Sequence, residues 1–84
     1  MKDSSENRRR LKWKCRRGML ELDELLQGFL EKKYDVLSEN DKQIFEEILE
    51  TSDQDLYEYF MKHTPPMDGR HQHVIEAIRT TVTD

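Results

Sequence analysis

The residue types able to do chemistry gather at one junction, WKCRRGMLELDELL, residues 13 to 26. Arg16 and Arg17 offer planar donor forks suited to a carboxylate or phosphate. Gly18 follows, and without a side chain it lets another backbone approach closely. Glu21, three residues further on, supplies an acceptor, with Asp23 and Glu24 nearby. Trp13 stands among the cations as either a lid over a small core or a contact anchor. Helix grammar explains each residue singly: a helix ending at Arg17 would place Gly18 at its left-handed C′ position, with both arginines at the negative end of the dipole. A following helix that starts at Gly18 would make Glu21 its third residue, able to reach back to an orphan N–H. Grammar does not explain the sum, because Arg8, Arg9, Arg10, Lys12 and Lys14 are more cations than one helix terminus needs.

Other reactive types read as structural. Cys15 is the only cysteine, which excludes an internal disulfide and suits a reducing compartment; a small, partly buried thiol is expected. His71 and His73 are two residues apart and point to different helix faces, so they and His63 read as solvated histidines, and no metal site is expected. Glu46, Glu47 and Glu50 read as a solvated face, and Tyr57, Tyr59, Phe60 and Met61 as core and its border. No glycine-rich phosphate loop and no catalytic set is present, so the catalytic residues are expected to be none and the chain is not expected to be an enzyme.

The elements that position this junction are all helical. Met19, Leu22, Leu25, Leu26, Phe29 and Leu30 follow the i, i+3, i+4, i+7 spacing of one helix face over 18–33. Ser38 caps a second run, close to a capping box with Asp41, whose stripe is Ile44, Phe45, Ile48 and Leu49. Ser52 or Asp53 caps a third, striped by Leu56, Tyr57, Phe60 and Met61 and stopped by Pro65 and Pro66. A last helix is predicted from about His71 to Thr81 on Val74, Ile75, Ile78 and Val82, and a short basic one over 5–17 with Leu11 and Cys15 inward. Alternating runs and hairpin dipeptides are absent. The expected fold is all-α: one domain over 1–84, a small bundle of about five short helices, with disorder confined to 1–6 and 82–84.

Of the 84 residues, 35% are hydrophobic and 38% charged, so the core must be thin and the working part of the molecule its surface. The net charge of −4 hides a split. Residues 1–17 carry eight basic and two acidic side chains, a net of +6, and 18–84 carry six basic and sixteen acidic ones, a net of −10. The basic end either meets an anionic partner or folds back over the acidic remainder, and the sequence leaves both open. No apolar run reaches the length of a membrane span.

The run WKCRRGMLELDELLQGF followed by LSENDKQIFEEILETSDQDLYEYFMKH resembles the SdhE family of FAD assembly factors. The likeness lies in an ordered set: Trp13, the arginine pair, an RGxxE motif formed by Arg17, Gly18 and Glu21, the serine helix start at 38, and the aspartate-rich cap before an aromatic helix. Tyr59 departs from the tryptophan common in the family. The resemblance implies promotion of covalent FAD attachment to the flavoprotein subunit of succinate dehydrogenase, and in some bacteria of fumarate reductase. It further implies client contact through Arg17, Gly18 and Glu21, with Arg16 and Trp13 beside them. It implies no cofactor of the chain's own, FAD contact being at most transient, and a cytoplasmic bacterial monomer that does not insert in membranes. Two other readings of a surface protein stay in view. One is an antitoxin-type interaction module. The other is a nucleic-acid binder using the basic segment, which the acidic remainder disfavours by repulsion.

Overall fold

The computed structural model describes residues 2–81 and the side chains from Glu6 onward. Five α-helices follow one another: α1 Lys2–Lys14, α2 Leu20–Lys32, α3 Glu39–Leu49, α4 Asp53–Met61 and α5 Gln72–Thr81, with single 3₁₀ turns at Tyr34–Val36 and Gly69–His71. No strand occurs among the described residues. The all-α expectation therefore holds. Val82 and the rest of 82–84 lie outside the described residues, as does Met1, while 2–6 form the backbone of the first turns of α1.

The core is built by the predicted stripes. Leu22, Leu25, Leu26, Phe29 and Leu30 of α2 are buried against α1, α4 and α5. Ile44, Phe45, Ile48 and Leu49 of α3, and Val74, Ile75 and Ile78 of α5, complete the cluster. Leu11 and Cys15 seal it from the α1 side at 0% exposure. Phe45 sits between two rings, with centroids 5.3 Å from Phe29 and 5.6 Å from Tyr34. Each such fully buried apolar side chain contributes about 1.5–3 kcal/mol over its exposed state, and these contributions must offset the chain's ordering entropy.

Helix starts follow the serines. Ser38 Oγ accepts from the Asp41 amide at 3.1 Å and Ser52 Oγ from the Asp55 amide at 3.2 Å, which settles the third cap on Ser52. In α4 the inward stripe is Leu56, Tyr59 and Phe60. Tyr57 is an exposed border residue instead, because only its neighbours at the i+3 and i+4 positions from Leu56 face α2 and α5. Helix α4 is over before the prolines. It ends at Met61, and His63 turns the chain out with a left-handed φ of 60° while the Glu58 carbonyl accepts from the amides of Lys62 and Thr64.

The basic helix is the element whose end differs most from expectation. α1 stops at Lys14, not Arg17. The Cys15 amide is shared between the carbonyls of Leu11 and Lys12, and the Arg16 amide closes onto Trp13 at 3.1 Å, so the last turn tightens and unwinds. Residues 15–19 then form a non-helical connector in which Gly18 has φ +81°. The left-handed glycine is present as predicted but serves the connector, four residues past the helix end. α2 begins at Leu20 with Met19 as an N-cap that makes no side-chain cap, so Glu21 is its second residue, not its third.

Candidate docking edge

The connector is held by two anchors. The Arg17 amide donates to Asp23 Oδ1 at 2.6 Å, which ties the chain entering α2 to the first turn of that helix. The Arg17 side chain, only 13% exposed, runs the other way into the end of α3. Its guanidinium donates to the carbonyls of Leu49 and Thr51 and pairs with Asp53 Oδ1 at 3.2 Å. These carbonyls belong to the unsatisfied end of α3, where a cation is favoured by both the orphan acceptors and the helix dipole. Asp53 opens α4, so one arginine joins α3, α4 and the connector.

Arg16 and Arg17 thus have opposite fates. Arg16 is exposed, and its guanidinium lies 5.6 Å from the centroid of the Trp13 ring. Trp13 itself is 69% exposed, which excludes the core-lid reading and leaves the contact-anchor one. Gly18 is exposed, and a Cβ built on it would meet no atom within 4 Å, so the space in front of it is open. Leu20, 70% exposed, and Glu21, also exposed, follow at the start of α2. The five residues expected at the client surface therefore lie along one stretch of chain. Four of them, Trp13, Arg16, Gly18 and Glu21, face solvent, and Arg17 fastens the stretch from behind. Shallow clefts flank it: one of about 350 Å³ reaches from Trp13 and Arg16 to Asp53, and one of about 540 Å³ runs from Arg16 past Leu20 to Glu31.

Sequence reasoning did not pair Asp23 or Asp53 with Arg17. Asp23, six residues on in the first turn of α2, was the available local signal, but Asp53 and the end of α3 are more than thirty residues away in sequence and nothing local links them to Arg17. Glu21 is not among the contacts of Arg17.

Elsewhere the chemistry is quiet. Burial pushes the Cys15 thiol up to about 12, more than nearby Arg17 lowers it, so it carries no thiolate near neutrality. His73 is exposed and contacts Asp41 at 2.8 Å. His71 is not the solvated histidine expected: it is largely covered and its Nε2 lies 3.0 Å from Glu47 Oε1 and 3.7 Å from Asp68 Oδ2. These three groups have metal-ligand spacing. The Arg70 guanidinium already bridges both carboxylates, at 2.9 Å to Glu47 and 2.8 Å to Asp68, and supplies the positive charge there. The cluster reads as a latch between the last 3₁₀ turn and α3.

The fold and the junction define a class: a small, thin-cored helical bundle with an exposed polar and aromatic edge. Sequence comparison gives the class its family. The chain belongs to the family described as "Flavinator of succinate dehydrogenase", whose model matches residues 9–82. A relative from Pectobacterium atrosepticum named FAD assembly factor SdhE is 40% identical over 79 residues, covering 94% of this chain and 90% of its own. Relatives of the same name from Yersinia pseudotuberculosis and Coxiella burnetii are each 41% identical, covering 89% and 84% of this chain and 85% and 87% of their own.

Proposed function

We propose that this protein is an assembly factor that promotes covalent attachment of FAD to the flavoprotein subunit of succinate dehydrogenase, docking on that subunit through the edge from Trp13 to Glu21. Family membership supports the role. The observation that carries the edge is the Arg17 anchor, which fixes the connector from inside while Gly18, Leu20 and Glu21 remain open.

Joining a client histidine to the 8α carbon of the flavin requires loss of a methyl proton, attack by the histidine on the resulting electrophilic flavin, and stabilisation of negative charge on the ring. The flavin supplies the difficult chemistry and protein supplies orientation. A non-enzymatic helper of this size acts by favouring the client arrangement in which histidine and flavin meet. A preference of about 1.4 kcal/mol shifts that population tenfold. Gly18 admits the client backbone. Glu21 hydrogen-bonds groups near the flavin site or biases the protonation of the attacking histidine. Trp13 and Arg16 contact the client beside them. Arg17, proposed from its motif as a contact, acts chiefly by holding the other four in register. The FAD is the client's, and the helper works as a cytoplasmic monomer.

The test is a deletion strain assayed by in-gel flavin fluorescence of the denatured subunit. The expected result is loss of covalent flavin, restored by the wild-type gene and not by Glu21→Ala. Normal flavin loading without the gene sinks the proposal.

A further inference from the structure

The basic segment divides its cations between two directions. Arg8 pairs with Asp35 at 2.6 Å and donates to the Leu30 carbonyl, Arg10 pairs with Glu46 at 3.4 Å, Lys14 pairs with Glu50, and Arg17 enters the α3 terminus. All four fold back on the acidic body. The side chains of Arg9 and Lys12 have no ion-pair or hydrogen-bond partner among the described residues, and Arg16 touches only the Trp13 ring. Residues 9, 12 and 13 share one outward face of α1, and Arg16, in the connector beyond the helix, comes alongside them over the Trp13 ring. The stripe lines a cleft of about 200 Å³ closed on the far side by Gln27 of α2.

Three cations around an exposed indole repel one another and have no paired carboxylate among the described residues, whereas eight of the ten other described cations, all but Lys32 and Lys33, are ion-paired within the chain. We infer that this stripe extends the docking edge back along α1 to Arg9, and that the occupant of the extension is a carboxylate-rich segment of the flavoprotein client. The inference rests on the function proposed above. Charge complementarity selects the occupant. Arg16, 5.6 Å from the Trp13 ring centroid, has a guanidinium suited to a paired carboxylate contact, and Trp13 offers a large rigid face with little entropy to lose. The neighbouring cleft carries Asp23, Glu24 and Glu31, which would repel further carboxylates and so limit the acidic occupant to a short segment over the stripe. A nucleic-acid backbone extending beyond the stripe would run onto those carboxylates.

Exposed interfacial charges act mainly on the association rate and are screened by salt. The test measures association of the purified chain with the purified flavoprotein subunit, for wild type, Arg9→Glu/Lys12→Glu and Glu21→Ala, at low and high NaCl. The double reversal is expected to slow association about tenfold or more at low salt, with dissociation nearly unchanged and the deficit vanishing at high salt. An unchanged far-UV spectrum and melting temperature establish that the variant is folded. If wild type binds the subunit and the double reversal associates equally fast at low salt, the stripe is overturned while the function stands. If wild type does not bind the subunit at all, both fall. A short DNA duplex bound more tightly than the subunit, and lost in the double reversal, would overturn the acidic occupant in favour of nucleic acid.

Discussion

Arg17 and Arg70 do similar work at the C-terminal end of α3, each joining a linker to the bundle through several acceptors. They differ in what surrounds them. The Arg17 guanidinium is 13% exposed and meets backbone carbonyls as well as Asp53, whereas Arg70 is 58% exposed and meets the carboxylates of Glu47 and Asp68. Backbone acceptors at a helix end cannot move away to water without unwinding the helix. Side-chain carboxylates at a surface can. The number of ion pairs is therefore a poor guide to stiffness, and the molecule has its rigid anchor directly behind the proposed docking edge.

The sharpest break of this comparison is Arg17→Ala. It removes a nearly buried charge and leaves the Leu49 and Thr51 carbonyls without their donor, at a cost of about 2–4 kcal/mol. For a domain of this size that lowers the melting temperature by roughly 10–25 °C. Arg16→Ala, one residue away, should leave thermal denaturation within about 0.5 kcal/mol of wild type. Equal losses in the two variants would show that burial does not separate them. Glu21→Ala likewise should melt as wild type while failing to restore flavin loading.

A smaller effect is expected at the glycine. Gly18→Ala meets no neighbouring atom, but it forces a side chain into a left-handed conformation, costing about 1–2 kcal/mol. Asp23→Ala removes the acceptor of the Arg17 amide and should cost about 1 kcal/mol. If Arg17 and Asp23 hold one connector jointly, the double variant Arg17→Ala/Asp23→Ala falls short of the sum of the two single losses in urea denaturation, whereas two independent anchors would add.

The helices were legible because each carries a 3.6-residue apolar stripe, and Ser38 and Ser52 mark two starts by a mechanism that is local. The left-handed Gly18 was legible for the same reason. The end of α1 was not. Reading Arg16 and Arg17 as one helical turn gives them similar roles, whereas the true stop at Lys14 puts them in a non-helical connector, with one side chain at the Trp13 ring and the other in the end of α3. What pulls Arg17 inward lies at positions 49, 51 and 53, and no periodicity in the chain encodes that meeting. Of the two candidate uses left open by charge alone, folding back holds for only part of the basic segment. Arg8, Arg10, Lys14 and Arg17 fold back, and Arg9, Lys12 and Arg16 do not. Tyr57 rather than Tyr59 entered the predicted stripe because three aromatics in four residues, Tyr57, Tyr59 and Phe60, fit a helix face in more than one phase.

The smallest effect belongs to the Arg70 latch, and pH isolates it. His71 and Arg70 hold the Glu47 carboxyl below its usual range, and Arg70 does the same for Asp68 through its side chain and its amide. A carboxyl whose folded value is depressed stabilises the fold at pH above its unfolded value, about 4, and loses that contribution as pH falls through the folded value. Arg70→Ala should therefore melt slightly below wild type near neutrality, and the gap should close between about pH 5 and about pH 2. Glu50, depressed by Lys14, titrates in the same window, but it is present in both proteins and cancels in the difference. A gap that stays constant across that range would mean that Arg70 contributes by packing its stem rather than by charge. The two arginines would then differ in kind as well as in exposure.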